Sequence, residues 1–227
     1  MAINAHRVVQ RVAGKGLAWG CAIALGAALV SCGAPSFSYI ADSGNHTYFK
    51  VPYGWKQITS TQLCNALDKS NASNCESGWL VAYEPGTKPA ATDFLSPRLS
   101  KPFVFAEVTG YNAATNGPLT DDTLRNFFLP VTASARSAFE SQQGTKLTGF
   151  KQLRDDTLAL SGGFHGVRET FNFGLTGTIT DTYDEMAIAD SAGDTVYFIV
   201  AHCTAACYSQ DHTAIDDVIS SFTVRSR

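Results

Sequence analysis

The chain has 227 residues, of which 44% are hydrophobic and 16% charged, and these proportions exclude a disordered or fibrous protein. Its formal charge of −3 is unevenly placed: residues 1–31 hold Arg7, Arg11 and Lys15 and no acid, while residues 32–227 hold 14 basic and 20 acidic side chains, a formal charge of −6. Such an acidic chain excludes nucleic acid as the partner, because phosphate contacts need clustered Lys and Arg.

The N-terminal residues are typical of an export signal. A basic segment, Arg7–Lys15, is followed by an uncharged run from Gly16 to Val30. This run of 15 residues is too short for a membrane-spanning helix, which needs about 20, and it suits the apolar part of a signal peptide. We therefore predict a signal peptide over residues 1–31.

The signal peptide ends beside a cysteine. Leu29-Val30-Ser31-Cys32-Gly33 resembles the lipobox of bacterial lipoproteins, in which signal peptidase II cuts before a cysteine that carries diacylglycerol. The resemblance implies a lipid on Cys32, a lipidated tether over residues 32–45 and a soluble domain over residues 46–227, on the extracytoplasmic face of the cell membrane. A plain secretory signal cut near Ala34 is the alternative.

The first half of the domain alternates strands with one short helix. Strands are predicted over Asn45–Pro52, Trp79–Tyr83 and Phe103–Tyr111, the last of them apolar enough to be buried on both faces. Apolar residues on one face predict a helix over Thr59–Lys69. Residues Glu84–Lys101 contain three prolines and are predicted to be a loop.

A long helical segment is predicted in the middle of the chain, from about Thr120 to Gln142. Thr120 can cap its first turn, and apolar residues recur along it at spacings of three and four. Pro130 is expected to interrupt or kink it, because proline lacks the amide hydrogen and crowds the preceding turn.

Four strands separated by glycine-containing turns follow, which is the pattern of an antiparallel meander. They are predicted over Lys146–Arg154, His165–Leu175, Thr178–Ala189 and Thr195–Cys203. A last helix is predicted over Gln210–Phe222. Helices at the beginning, middle and end of a mostly antiparallel chain predict an α+β fold in which helices cover the sheet.

Four cysteines lie in the predicted domain, and an even number in an exported chain favours disulfides. The simplest of three connectivities pairs neighbours, Cys64 with Cys75 and Cys203 with Cys207. A metal site formed by His202, Cys203, Cys207 and His212 is the alternative, but the Cys-x₃-Cys spacing is not that of structural zinc sites. We predict disulfides and no metal or cofactor.

Aromatic residues at predicted strand ends are candidate ligand-binding residues, because aromatic faces suit sugars and acyl chains. These candidates are Tyr53, Trp79, Tyr83 and Tyr111. Packing in the core is the alternative for each of them.

Catalytic motifs are weak. The sequence has no Gly-x-Ser-x-Gly, and a triad of His165 with Asp181 or Asp184 would require a coincidence of the fold. Adjacent acidic pairs are expected to be solvated on helix starts, turns and strand ends. These pairs are Asp121/Asp122, Asp155/Asp156, Asp184/Glu185 and Asp216/Asp217.

The residues that begin and end the domain resemble a known family. Tyr48–Trp55, Tyr-Phe-Lys-Val-Pro-Tyr-Gly-Trp, is similar to the opening strand of PsbP-like proteins, and the last strand and helix resemble the end of the same fold. Within that superfamily the chain is particularly similar to actinobacterial lipoproteins of the LpqN/LpqT type, which share the lipobox. The resemblance implies a PsbP-like α/β/α sandwich that docks to partners and has no shared active site.

These observations predict a lipid-anchored protein of the cell envelope that acts as a non-enzymatic binding or accessory module. Its expected partner is an envelope protein or a glycolipid or other apolar ligand. The alternative is an envelope hydrolase whose active site carries no sequence motif.

Overall fold

The computed structural model of the protein describes residues 36–67, 78–143, 147–174 and 180–226. These residues belong to the compact unit Pro35–Arg227. The elements of its first half are β1 (Phe37–Asp42), β2 (Thr47–Pro52), β3 (Lys56–Ile58), α1 (Ser60–Leu67), β4 (Trp79–Glu84), a 3-10 helix (Ala91–Leu95) and β5 (Phe103–Gly110).

The second half contains three short helices, a run of long strands and a last helix. Its elements are α2 (Ala113–Asn116), α3 (Asp121–Arg125), α4 (Ala133–Gln143), β6 (Thr148–Ala159), a 3-10 turn (Ser161–Gly163), β7 (His165–Gly174), β8 (Asp181–Ala189), β9 (Thr195–Thr204), α5 (Ala205–Ser220) and β10 (Thr223–Val224).

Two antiparallel sheets result from the pairing of these strands. The large sheet has seven strands in the order β3-β4-β5-β9-β8-β7-β6, and the small sheet has three in the order β1-β2-β10. Neighbours β6 to β9 are consecutive in sequence, so the predicted antiparallel meander is confirmed. The predicted α+β class with a large antiparallel sheet is also confirmed.

Helices cover both faces of the large sheet. Successive residues of a strand point to opposite faces. On β7, Arg168 bonds to Asp216 and Ser220 of α5, whereas its neighbour Glu169 lies near Arg125 of α3. Helices α3 and α5 therefore lie on opposite faces, as the α/β/α arrangement requires.

Aromatic rings fill the space between the sheet and the middle helices. Phe198 of β9 packs on Phe127 and Phe128, with ring centroids 5.2 and 5.6 Å apart. Tyr183 of β8 stacks between Phe171 and His202, at 5.5 and 5.2 Å. These contacts fix the part of the sheet that lies beside α3.

A buried cluster of charges holds α5 against the other face. The Arg168 guanidinium donates to both carboxylate oxygens of Asp184, from Nε at 3.2 Å and from Nη2 at 3.1 Å. It also donates to Asp216 Oδ1 and Ser220 Oγ, each at 2.8 Å, and the Tyr208 hydroxyl donates to Asp184 at 3.1 Å. Burial raises the pKa of Asp184, and the bonds from Arg168 oppose that rise.

The small sheet corrects the predicted tether over residues 32–45, since residues 37–42 of that segment form β1. This strand pairs with β2 from Phe37 opposite Pro52 to Asp42 opposite Thr47. Its Ser, Ala and Gly surroundings are typical of a linker, but Ile40 packs against the core, and Lys50 Nζ lies over the Phe37 ring at 4.0 Å from its centroid. The rest of the predicted tether and signal peptide, through residue 35, lies outside the described residues.

The predicted helix from Thr120 to Gln142 is divided in two. Thr120 caps α3, as expected, by accepting from the Thr123 amide at 3.2 Å. The chain then leaves the helical path before Pro130, and Asn126 Oδ1 accepts from the amides of Val131 and Thr132, both at 2.9 Å. The proline therefore interrupts the segment, and α4 starts again at Ala133.

Other boundaries move as well. Strand β6 extends to Ala159, so Asp155 and Asp156 lie inside it rather than at its end. Helix α5 begins at Ala205, where Thr204 caps it by accepting from the Cys207 amide at 3.3 Å. The predicted loop over Glu84–Lys101 contains the 3-10 helix noted above.

The predicted disulfide between Cys203 and Cys207 is confirmed, with an S–S distance of 2.11 Å. It joins the end of β9 to the first turn of α5 and occupies both thiols of the alternative metal site. Cys64 is also disulfide-bonded. Cys75 lies outside the described residues, so its pairing with Cys64 stays a prediction.

Candidate functional site

A polar pocket opens where α3 and the loop after it meet β6 and β7. Its volume is about 310 Å³. We call it the acidic pocket and define it by its lining residues, Asp122, Arg125, Val131, Thr132, Gln152, Asp155 and Glu169.

Local sequence sets the rim of the pocket. The Thr120 cap starts α3 so that Asp122 and Arg125, three residues apart, share one helix face. The bonds from Asn126 hold Val131 and Thr132 in place on the other side. The rim is thus built from two parts of one segment, on either side of the break at Pro130.

Arg125 joins the carboxylates of the pocket. Its Nη1 is 2.9 Å from Asp122 Oδ1, and its Nη2 is 3.0 Å from Asp155 Oδ1. Its Nε donates to the same Asp155 oxygen at 3.1 Å and lies 3.9 Å from Glu169 Oε1. Three carboxylates therefore share one guanidinium, which leaves a formal charge of −2 when all are ionised.

Glu169 is the buried carboxyl of the pocket, with 0% of its surface exposed. Its Oε1 accepts from Gln152 Nε2 at 3.0 Å, whereas its Oε2 has no hydrogen-bond partner. Burial raises the pKa of Glu169 to about 7; Asp155 and Asp122 add to the rise, and Arg125 opposes it. The group can therefore gain or lose a proton near neutral pH.

Glu185 lies behind Glu169 in the sheet. The two residues are directly opposed in the register of β7 and β8, so their side chains share the face that α3 covers. Glu185 is completely buried, and neither of its carboxylate oxygens has a hydrogen-bond partner. Burial, together with the charges of Glu169 and Asp184, raises the pKa of Glu185 well above its usual range, which favours its neutral form.

The chemistry of the pocket favours a positively charged group. Its three carboxylates share a single guanidinium, so the pocket carries a net negative charge when all three are ionised. Within the described ranges, no group of three or more His, Cys, Asp or Glu side chains is arranged to hold a metal ion.

The four aromatic candidates do not form one site. Tyr53 is 64% exposed at the end of β2, while Tyr83 is 7% exposed and packs edge-on against Phe49. Trp79 is partly buried and also packs on Phe49. The Tyr111 hydroxyl donates to the backbone carbonyls at the end of α2, those of Asn116 and Gly117. Core packing therefore accounts for Tyr83, and a shared aromatic groove is not observed.

The hypothetical catalytic triad is not assembled either. His165 pairs with Ala189 in the register of β7 and β8, whereas Asp184 pairs with Thr170, five positions further along β7. At about 3.4 Å per residue this is roughly 17 Å. Asp181 lies still further along β8, and Asp184 is bound to Arg168.

The expectation that adjacent acids are solvated is wrong for Asp184 and Glu185, both of which are buried. Because they are neighbours in a strand, one points to α5 and the other to α3. Their signal in the sequence is an acid within a strand that also holds apolar and aromatic residues, and Glu169 in β7 has the same signal. Arg125 and Gln152 carry no comparable signal, since polar and charged residues are common in short helices and edge strands.

Among the described residues, none of the helices has the length and apolar character needed to cross a membrane. No protein-family model matches the chain, and no curated protein matches it by sequence.

Solved structures with a similar path of the chain include cyanobacterial PsbP (CyanoP) from Synechocystis sp. PCC 6803, with 11% identity and a TM-score of 0.49 over 86% of this chain and 96% of that one. LpqN, involved in cell envelope biogenesis of Mycobacterium tuberculosis, has 14% identity and a TM-score of 0.43 over 85% and 93%. The Ran-binding protein Mog1p of Saccharomyces cerevisiae has 10% identity and a TM-score of 0.42 over 83% and 95%.

Proposed function

We propose that the protein is a lipid-anchored protein of the cell envelope whose domain is a non-enzymatic binding or accessory module, with the acidic pocket as its binding site. The observation that supports this function is the buried Glu169 beside a preformed pocket, with one oxygen lacking a partner. Leaving a buried polar atom unpaired costs stability, and a pocket with convergent polar groups is typical of binding sites.

The anchor is supported by the lipobox-like segment around Cys32. We expect the protein purified from its native membrane fraction to carry a diacylglyceryl group on Cys32 and to show no free thiol before reduction. Intact mass measured before and after reduction and alkylation checks both statements. An unlipidated chain with free thiols would remove the anchor from the proposal.

Site-specific crosslinking tests the binding site. We expect p-benzoylphenylalanine in place of Ala133, an exposed residue beside Thr132 of the pocket, to give defined crosslinked products in the native envelope. The matched control places the same photoreactive residue at Thr213, which is exposed on α5 at the opposite face of the sheet. Equal products from both positions, or none from position 133, would contradict a binding role for the pocket.

A hydrolase is the second candidate, because the pKa of Glu169 lies at about 7 and Asp155 lines the same pocket. A carboxyl that titrates near neutral pH can act as a general acid or base. A panel of ester, glycoside and phosphate substrates decides between the candidates. Turnover by the wild type that is lost in folded Glu169→Gln would establish the hydrolase, whereas a binding module turns over none of them.

A further inference from the structure

We propose that the acidic pocket accepts an organic cation with several N–H donors, a guanidinium or primary ammonium group of the kind that arginine and lysine side chains carry. This inference rests on the proposed binding function and specifies the ligand chemistry of the same site.

Charge is the first argument. Arg125 is the only basic residue among those that line the pocket. It forms ion pairs with Asp122, Asp155 and Glu169 at once. Its short contacts run to the Oδ1 atom of each aspartate, so a second cation would have the Oδ2 atoms as acceptors. Charge-assisted bonds to carboxylates are about twice as strong as neutral hydrogen bonds.

The buried glutamate is the second argument, and it is independent of the charge count. Glu169 is covered from solvent and receives one hydrogen bond, from Gln152, while Arg125 Nε stays 3.9 Å from its Oε1. Its Oε2 has no partner and is covered from solvent in the wall of the pocket. A cation bound at Asp155, on the open side of Arg125 and Gln152, adds positive charge near this buried carboxyl.

The donor set of the pocket favours an organic cation over a bare metal ion. In the part of the chain that the structure describes, no three His, Cys, Asp or Glu side chains are arranged to hold a metal ion. The pocket, of about 310 Å³, has room for a guanidinium or ammonium group with part of its aliphatic stem. Thr132, which is partly exposed at the rim, offers its methyl group to such a stem.

Proton loss from Glu169 should accompany binding of the cation. The charged and titratable groups around Glu169 are Asp122 and Arg125 of α3, Asp155 of β6 and Glu185 of β8. Because the pKa of Glu169 is about 7, the pocket is more negative at pH 8 than at pH 6. We therefore expect the cation to bind more tightly at the higher pH.

The probes are Nα-acetyl-L-arginine N-methylamide, the matching lysine compound and the matching citrulline compound, which is the neutral analogue of arginine. Each is titrated into the ¹⁵N-labelled full chain, and the amide resonances of Gln152 and Glu169 are followed. We expect saturable shifts with arginine or lysine at pH 8, binding that is weaker by up to about tenfold at pH 6, and at least tenfold weaker binding of citrulline. Tighter binding of arginine identifies a guanidinium site, and tighter binding of lysine an ammonium site.

Two isosteric variants and one control complete the test. Glu169→Gln and Asp155→Asn should each weaken cation binding at least tenfold. The control is Asp217→Asn, which removes a charge from α5, where Asp217 pairs with Lys50, and should leave cation binding unchanged. Citrulline that binds as well as arginine, or cations that do not bind, would overturn the inference. If cations do not bind but the crosslinks from position 133 are observed, only the cation inference fails and the proposed binding function stands. If the crosslinks are absent as well, the proposed binding function also fails.

Discussion

Replacing Arg168 by alanine is expected to lower the free energy of unfolding by about 3–5 kcal/mol, because the substitution leaves the buried Asp184 without its cation. Arg168 is 6% exposed and holds both oxygens of Asp184 as well as Asp216 of α5. One substitution therefore breaks a buried ion pair and the main polar contact between α5 and β7. Denaturant unfolding at pH 7 measures the loss.

Arg154→Ala is the matched control. Arg154 pairs with Asp156 and with the same Asp216, at 2.6 and 3.6 Å, but it is 41% exposed. Exposed ion pairs contribute about 0–1 kcal/mol, so this variant should lose no more than that. The double variant Arg168→Met with Asp184→Leu should recover most of the stability, since the buried charges are removed together. Equal losses in Arg168→Ala and Arg154→Ala would show that burial of the pair does not matter.

The difference in free energy of unfolding between Glu169→Gln and the wild type is expected to shift in favour of the variant by about 3 kcal/mol as the pH rises from 5 to 8. The pKa of Glu169 is raised to about 7 in the folded protein from an ordinary value of 4.5. A raised pKa contributes stability that is complete below pH 4.5 and is lost as the pH rises through 7; at about 1.4 kcal/mol per pH unit, the loss is about 3 kcal/mol. Glutamine has no such loss.

The comparison must be between the variant and the wild type, because His202 acts in the opposite direction. Burial lowers the pKa of His202 to about 4, so its contribution is complete above pH 6.5 and is lost as the pH falls through 4. Between pH 4.5 and 6.5 the two groups partly cancel in the wild type. Denaturant unfolding of the variant and the wild type at pH 5 and pH 8 gives the difference in their free energies of unfolding, in which the contribution of His202 cancels. A difference that does not change with pH would mean that Glu169 is ionised throughout.

The spacing of apolar residues predicted those helices and strands whose buried face is evident from their own sequence. Strand β9 is apolar, and α5 has Ile215, Val218 and Ile219 at helical spacing, so both were located within a few residues. Strand β1 was missed because its small and polar residues resemble a linker, and it becomes a strand only by pairing along β2. The division between α3 and α4 was anticipated at Pro130, but its exact form depends on the Asn126 side chain.

The acidic pocket was not predictable in the same way. Its carboxylates come from three elements, and the salt bridge between Arg125 and Asp155 joins residues 30 positions apart. The opposition of Glu169 and Glu185 depends on the register of β7 with β8, and a shift of one residue would turn one of them to the other face. Single acids in the sequence do not reveal such a register.

Strand β2 lies between the first and the last strand of the described chain, and this arrangement has a consequence for the order of folding. The Lys50 amide donates to Ser221 Oγ across 171 positions of sequence, and Phe49 packs on Phe222. Contacts between residues so far apart in sequence form slowly. The entropic cost of closing the long intervening loop must be met before the favourable energy of the contacts is gained. During synthesis, the small sheet therefore stays incomplete until β10 emerges, and Phe49 lacks its contact with Phe222 until then.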